Sequence, residues 1–288
     1  MFALTLLAFT AAANPVELKD GDRVVWIGSA IAEREQKYGH WETALLCKFA
    51  DRNISFRNLG WSGDSVDGIA RASFDPAAKG YERLIAKTKE LKPTVLFVSY
   101  GANESFAGPT GVDKFEKGLE KLLKDLESTK ARVVLFTPTP FEKAEGMTDL
   151  DNKNHSLSLY ARAVRDVGDR QGHHVADLNS KLLKHTSNAS PTFTENGIHF
   201  SDSGYEGTIP DFLGTLGLSW EGVEPKKYEA VRQAVIKKNT LFFDQWRPQN
   251  ETYLFGFRKH EQGQNAKDIP AFEPLIEKAD ADIRKTLK

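Results

Sequence analysis

The feature that most constrains the fold is an alternation of short apolar runs with longer amphipathic stretches between residues 22 and 177. The apolar runs, which we interpret as strands, are residues 23–27, 54–59, 94–99, 132–137 and 174–177. The amphipathic stretches, which predict helices, are residues 32–49, 81–91, 113–126 and 151–170. The Val-rich runs are apolar throughout, as in strands that are covered on both faces. Alternating strands and helices, joined by right-handed crossover connections, predict a parallel sheet between two layers of helices.

The whole chain of 288 residues is long enough for one sizeable core and an additional segment. We expect a flavodoxin-like three-layer α/β/α domain over residues 20–218, with a five-stranded parallel sheet in the order 2-1-3-4-5. Residues 219–288 differ in character, with a charged helix at 225–238, an aromatic and Arg-rich stretch, and a final charged helix. We interpret them as a helical C-terminal extension packed on the domain, since its aromatic side chains need burial.

Charge and composition exclude several classes of protein. Lys and Arg total 39 against 40 for Asp and Glu, a balance that indicates no nucleic-acid partner. No apolar run after the N-terminus is long enough to predict a membrane span in the mature chain. The single cysteine, Cys47, excludes a CxxC site, and the rings of His173 and His174 point to opposite faces of a strand. We therefore expect neither a metal nor a cofactor.

Residues 1–13 form an apolar, uncharged run that ends in small residues, a pattern typical of a secretory signal peptide. The alternative is a packed or disordered N-terminal segment. The pattern favours export, as in a periplasmic or secreted protein of bacterial type.

Four short blocks carry groups suited to chemistry, and three of them directly follow predicted strands, where such folds bind ligands. The blocks are Gly28-Ser29-Ala30, residues 58–65 (NLGWSGDS), residues 101–104 (GANE) and residues 196–205 (NGIHFSDSGY). Their order and spacing resemble the SGNH/GDSL family of ester hydrolases, over about residues 22–216.

The resemblance implies roles for particular residues. In that family the first block reads G-D-S and its serine is the nucleophile. Carried over by position, Gly63 offers a backbone N–H and Asn103 a side-chain amide to the oxyanion of a tetrahedral intermediate. His199 falls on the general base.

Two positions depart from the family pattern. Ser29 falls on the aspartate of G-D-S and Ala30 on the nucleophile, while Asn196 replaces the aspartate that orients the histidine. An alanine cannot attack a carbonyl, and an amide can orient an imidazole but cannot offset the charge of an imidazolium. The hydroxyl of Ser29 and the carboxylate of Glu195 each lie one residue away, so a shifted turn could bring either into play.

Two functions therefore stay open. The favoured one is hydrolysis of an acyl ester, of a carbohydrate or another extracellular compound, with a seryl acyl-enzyme. The alternative is a catalytically impaired domain that serves as a ligand-binding module, with a carbohydrate as ligand. Trp61 and Arg258 are candidate substrate-binding residues, although for the Arg side chains of the extension we favour packing along the main domain.

Overall fold

The computed structural model describes residues 15–186 and 192–288, apart from the side chains of residues 262–264. The predicted signal peptide at residues 1–13 lies outside the described residues. Within them, one sheet contains β1 (Arg23–Gly28), β2 (Ser55–Asn58), β3 (Val95–Ser99), β4 (Arg132–Phe136) and β5 (His174–Ala176). All pairings are parallel and the order is β2-β1-β3-β4-β5. The predicted fold class and strand order are confirmed.

Helices cover both faces of this sheet. The helices of the main domain are α1 (Ala30–Tyr38), α2 (His40–Lys48), α3 (Ala77–Glu90), α4 (Val112–Leu126), α5 (Leu150–Gln171), α6 (Leu178–Leu182), α7 (Asp202–Gly207) and α8 (Ile209–Thr215). Successive strand residues face opposite sides, so Trp26 and Val25 of β1 enter different core clusters. Trp26 packs with side chains of α2 and α8, and Val25 with side chains of α3, α4 and α5. No helix in the described ranges has the length and apolar character needed to cross a bilayer.

The prediction of a single helix over residues 32–49 was wrong, because two helices occupy this stretch. Gly39 separates α1 from α2 with a φ of 70°, a left-handed conformation that terminates α1. The apolar pattern continues across the break because both helices bury side chains. Only a glycine adopts this conformation at little cost, and a Cβ here would also lie 3.2 Å from Val235 of the extension.

The extension folds as α9 (Pro225–Trp246), α10 (Glu251–Leu254), α11 (Lys259–Gln262) and α12 (Phe272–Leu287). α9 contributes Val235 to the core cluster of Trp26 and Phe242 to that of Val25. The extension is therefore helical, as predicted, and its side chains enter both core clusters. The charged helix predicted at 225–238 is longer, since its aromatic C-terminal part stays helical and is partly buried.

Candidate active site

One pocket lies at the carboxyl ends of β1, β3 and β4. Its lining brings together residues from three of the four blocks: Ser29, Ala30, Ala102, Asn103, Ile198 and His199. The cavity has a volume of about 40 Å³. A single water molecule needs roughly 10–15 Å³, so the cavity is larger than a one-water site. The pocket has room for a small acyl group.

The end of β1 determines how the first block faces this pocket. Gly28 is required, because a Cβ there would lie 2.1 Å from Ser99 Oγ. Ser29 precedes α1 and its side chain is buried, and its Oγ has no hydrogen bond to any described residue. Ala30, the first residue of α1, is partly exposed in the pocket. The more accessible position at this helix terminus therefore carries a methyl group, and the hydroxyl lies in the more buried one.

The loop after β2 lies close against α1. Asn58 Oδ1 accepts a hydrogen bond from the Gly60 N–H at 2.8 Å, and Asn58 Nδ2 donates to the Ala32 carbonyl at 2.7 Å. Gly63 lies in an exposed turn of this loop with a φ of 78°. No residue of this block is in the pocket lining, so the oxyanion role of the Gly63 N–H stays a prediction.

Asn103 is hydrogen-bonded to the backbone of Asp64, a buried residue of the second block. Its Nδ2 donates to the backbone carbonyl of Asp64 at 2.7 Å. The Asp64 carboxylate accepts hydrogen bonds from Arg71 Nε at 2.6 Å and from the Tyr100 hydroxyl at 3.0 Å. An amide nitrogen has two protons, so the Asn103 amide keeps one N–H for a ligand in the pocket.

Glu104 joins the loops that follow β2 and β3. Its Oε1 accepts the Val66 N–H and its Oε2 the Gly101 N–H, both at 2.9 Å. Burial raises the pKa of this carboxyl to about 7, although both hydrogen bonds favour its ionised form. The side chain next to Asn103 thus titrates near neutral pH.

His199 lies in the loop before α7 and contacts Asn196. Asn196 Nδ2 lies 3.1 Å from His199 Nδ1, and Asn196 Oδ1 accepts the backbone N–H groups of His199 at 2.9 Å and Ile198 at 3.2 Å. Burial, followed by the positive charge of Arg34, lowers the pKa of His199, and Glu195 partly opposes this shift. The shift accordingly favours the neutral imidazole.

Glu195 is bound to α1. Its carboxylate pairs with the Arg34 guanidinium at 2.6 Å and accepts a hydrogen bond from the Tyr38 hydroxyl at 3.2 Å. Arg34 Nε also donates to the Phe200 carbonyl at 3.0 Å. These contacts anchor the loop that carries His199 to α1. The negative charge of Glu195 acts on the pKa of His199 in the upward direction. Its suggested role as the carboxylate that orients His199 stays a prediction.

Trp61 and Arg258 lie away from this pocket. The Arg247 guanidinium stacks 3.6 Å from the centre of the Trp61 ring, and the Trp246 ring meets Trp61 edge-on. Arg258 pairs with Glu261 at 2.6 Å and lies over the Tyr253 ring. If either residue binds substrate, the contact would be at a surface separate from this pocket.

Sequence reasoning missed Glu142, which holds the segment before His199. Its buried carboxylate accepts the backbone N–H groups of Phe193 and Thr194 and the Thr194 hydroxyl at 2.7–3.2 Å. The Glu142 N–H in turn donates to the Gly197 carbonyl at 2.8 Å. The position of Glu142 just after β4, at the ligand-binding edge of the sheet, was the available signal.

Comparisons with known proteins find a matching family model and a related esterase. The model of the GDSL-like Lipase/Acylhydrolase family matches residues 21–206. A human protein, isoamyl acetate-hydrolyzing esterase 1 homolog, is 25% identical over 194 residues, which cover 58% of this chain and 77% of the relative.

Solved structures share the fold at low sequence identity. A catalytic mutant of an acetylxylan esterase from Geobacillus stearothermophilus is 17% identical, with a TM-score of 0.58 over 73% of this chain and 100% of its own. A gut microbial diltiazem-metabolizing enzyme is 14% identical, with a TM-score of 0.66 over 94% of this chain and 96% of its own. That second likeness extends over the C-terminal helices as well.

Proposed function

Because this chain belongs to the GDSL-like lipase/acylhydrolase family, we propose that its pocket hydrolyses a short acyl ester of a carbohydrate. The predicted class of enzyme, an ester hydrolase of GDSL type, is confirmed by the family and its esterase relatives. The acyl group, the alcohol and the residues that react belong to the proposal.

One observation carries the proposal. Ser29, Asn103 and His199, which are distant in sequence, line a single cavity of about 40 Å³. A hydroxyl, an amide donor and an imidazole are the groups that acyl transfer through a serine requires. The small volume favours a short acyl group over a fatty acyl chain.

The reaction would proceed through an ester on Ser29. Its Oγ adds to the acyl carbon, its proton goes to His199, and Asn103 donates to the carbonyl oxygen as charge develops there. The C–O bond to the alcohol then breaks, and the alcohol leaves with the proton. Water hydrolyses the acyl-serine in the second half-reaction and releases the acid.

A neighbouring cleft supports a sugar as the alcohol. This cleft of about 430 Å³ between α1 and α9 shares Arg34 with the pocket, and it is also lined by Gln36, Ser62, Thr240 and Phe243. Amides, hydroxyls and an aromatic ring are suited to a polyol. By its name, the acetylxylan esterase acts on a carbohydrate ester, and the leader-like residues 1–13 support an exported, extracellular site of action.

A second candidate function is a binding module that retains the pocket without efficient turnover. Ala30 at the accessible helix terminus and Asn196 beside His199 favour it, because both replace groups that the family uses in catalysis.

The test measures release of acetate from an aryl acetate and from acetylated xylooligosaccharides by the purified chain. Ser29→Ala should abolish turnover, and Ser128→Ala, at an exposed site between α4 and β4, should leave it unchanged. A serine-directed organophosphate should label the parent and fail to label Ser29→Ala. Binding of the oligosaccharide without acetate release would contradict the hydrolytic proposal and support the binding module.

A further inference from the structure

The orientation of the Asn196 amide is determined by its hydrogen bonds. Oδ1 accepts two backbone N–H groups, of His199 at 2.9 Å and of Ile198 at 3.2 Å. Turning the amide over would point its NH₂ group at two donors, and the amide oxygen would lose both partners. The oxygen and nitrogen of this amide can therefore be assigned from the network.

The other end of the amide then determines the state of His199. Asn196 Nδ2 faces His199 Nδ1 at 3.1 Å, and an amide nitrogen only donates. Nδ1 must accept this hydrogen bond, so it carries no proton. Burial and the charge of Arg34 lower the pKa of His199 and disfavour the doubly protonated ring. The single proton of the neutral ring resides on Nε2.

We propose that Asn196 is a positioning residue that holds His199 in the Nε2–H tautomer, so that His199 offers the pocket a proton donor in place of a base. Nε2 has no protein partner among the described residues. The Asn103 amide, which lines the same pocket, also keeps one free N–H after bonding Asp64. The ligand that fits two such donors is the carbonyl oxygen of an acyl group or a carboxylate.

This inference deepens the proposed hydrolysis, because it names what limits it. His199 can take the Ser29 proton on Nε2 only as the Nδ1–H tautomer, which gives up the hydrogen bond from Asn196. An aspartate at position 196 would reverse the preference, since a carboxylate accepts from Nδ1–H. A single substitution thus switches the tautomer without changing the size of the side chain.

Nitrogen NMR of histidine-labelled protein reads the tautomer directly, with the His199 signals assigned by comparison with His199→Gln. The expected result is an unprotonated Nδ1 and a protonated Nε2 in the parent, and the reverse in Asn196→Asp. Asn53→Asp, at an exposed site remote from the pocket, is the matched control and should keep the parent pattern. Sodium acetate should shift the Nε2–H signal of the parent. An Nδ1–H tautomer in the parent, or no change in Asn196→Asp, would overturn the inference.

Kinetics separate this inference from the proposed function. If Ser29 and His199 hydrolyse esters, Asn196→Asp should raise kcat with little change in KM, by up to about 10⁴-fold, the loss when the orienting aspartate of a serine protease becomes asparagine. A tautomer switch in an inert protein would refute hydrolysis at this site and leave the tautomer assignment standing.

Discussion

The Lys238 ammonium lies 2.7 Å from Glu42 Oε1, and both side chains are buried where α9 crosses α2. The pair is fully hydrogen-bonded, since Lys238 also donates to the Phe56 carbonyl and the Asn239 amide oxygen, and Asn239 Nδ2 donates to Glu42 Oε2. A buried ion pair with these partners joins the extension to the main domain.

Removing one member of this pair should destabilise the whole chain. Lys238→Ala leaves the Glu42 carboxylate buried without its cation, which typically costs about 3–5 kcal/mol of unfolding free energy. Urea unfolding measures the loss. The double variant Lys238→Met with Glu42→Leu should lose less than Lys238→Ala, because no charge is stranded. A loss below about 1 kcal/mol in Lys238→Ala would contradict a stabilising role for the pair.

Restoring the family residues should raise esterase activity. Ala30→Ser places a hydroxyl at the accessible start of α1, where the partly exposed position accepts one added oxygen without the strain of a buried core. Combined with Asn196→Asp it should exceed either single change, because residues acting as one unit are strongly non-additive. The measurement is kcat/KM on an aryl acetate for the parent, both singles and the double. An active parent in which Ala30→Ser adds nothing and Ser29→Ala abolishes turnover would assign Ser29 as the natural nucleophile.

A side chain at Gly60 should disrupt the loop after β2. Its Cβ would lie 2.2 Å from the backbone nitrogen of Glu33, and neither backbone can yield easily. We expect Gly60→Ala to lower the unfolding free energy by about 1–3 kcal/mol, the usual cost of overpacking. Gly214→Ala is the control, since its Cβ would meet Lys181 at an ordinary 3.5 Å and alanine favours the helix α8 by up to about 1 kcal/mol. Equal stability of the two variants would refute the close approach.

Stability should fall as the pH rises toward neutrality because of Glu104. Burial raises its pKa from an ordinary value of 4.5 to about 7, so the folded state holds this proton more tightly than the unfolded state. The contribution is full below about pH 4.5 and is lost progressively up to about pH 7, with a size of at most about 3 kcal/mol. Urea unfolding between pH 4.5 and 8 should show this slope in the parent and a flatter one in Glu104→Gln. The exposed control Glu145→Gln should retain the slope of the parent.

Filling the cleft between α1 and α9 should impair hydrolysis of acetylated xylooligosaccharides more than hydrolysis of an aryl acetate. Thr240→Trp places a bulky ring among the side chains that line the cleft. It should reduce kcat/KM for acetylated xylooligosaccharides at least tenfold, equivalent to about 1.4 kcal/mol of lost binding, and spare the aryl acetate. Lys237→Trp, three residues earlier on α9 at an exposed position that does not line the cleft, should affect neither substrate. Equal losses on both substrates would mean that the cleft does not hold the alcohol.

Local patterns determined the sheet. The central residues of β1 and β3 are all apolar, and their burial on both faces follows directly from that composition. The strand order was predicted from the rule for flavodoxin-like doubly wound sheets, which requires no knowledge of individual contacts. The same rule located the pocket, because residues that follow neighbouring parallel strands meet at one edge of the sheet.

Long-range contacts decided what the pattern left open. The break at Gly39 interrupts a continuous apolar pattern and depends on a backbone conformation that periodicity does not record. Glu142 contacts a segment some 50 residues away, and carboxylates at strand ends look alike in a sequence whether they bind backbone or substrate.

The residue types at the site were determined by the sequence alone, including the methyl group at Ala30 and the amide at Asn196. Only the tertiary structure showed which atoms of these groups meet. The loop of Asn196 turns its amide oxygen toward two backbone N–H groups and so leaves its nitrogen for His199. Glu195, one residue away, is drawn instead to Arg34 on a distant helix. A one-residue difference in sequence becomes a difference in partner because side-chain direction depends on the backbone dihedrals of the folded loop.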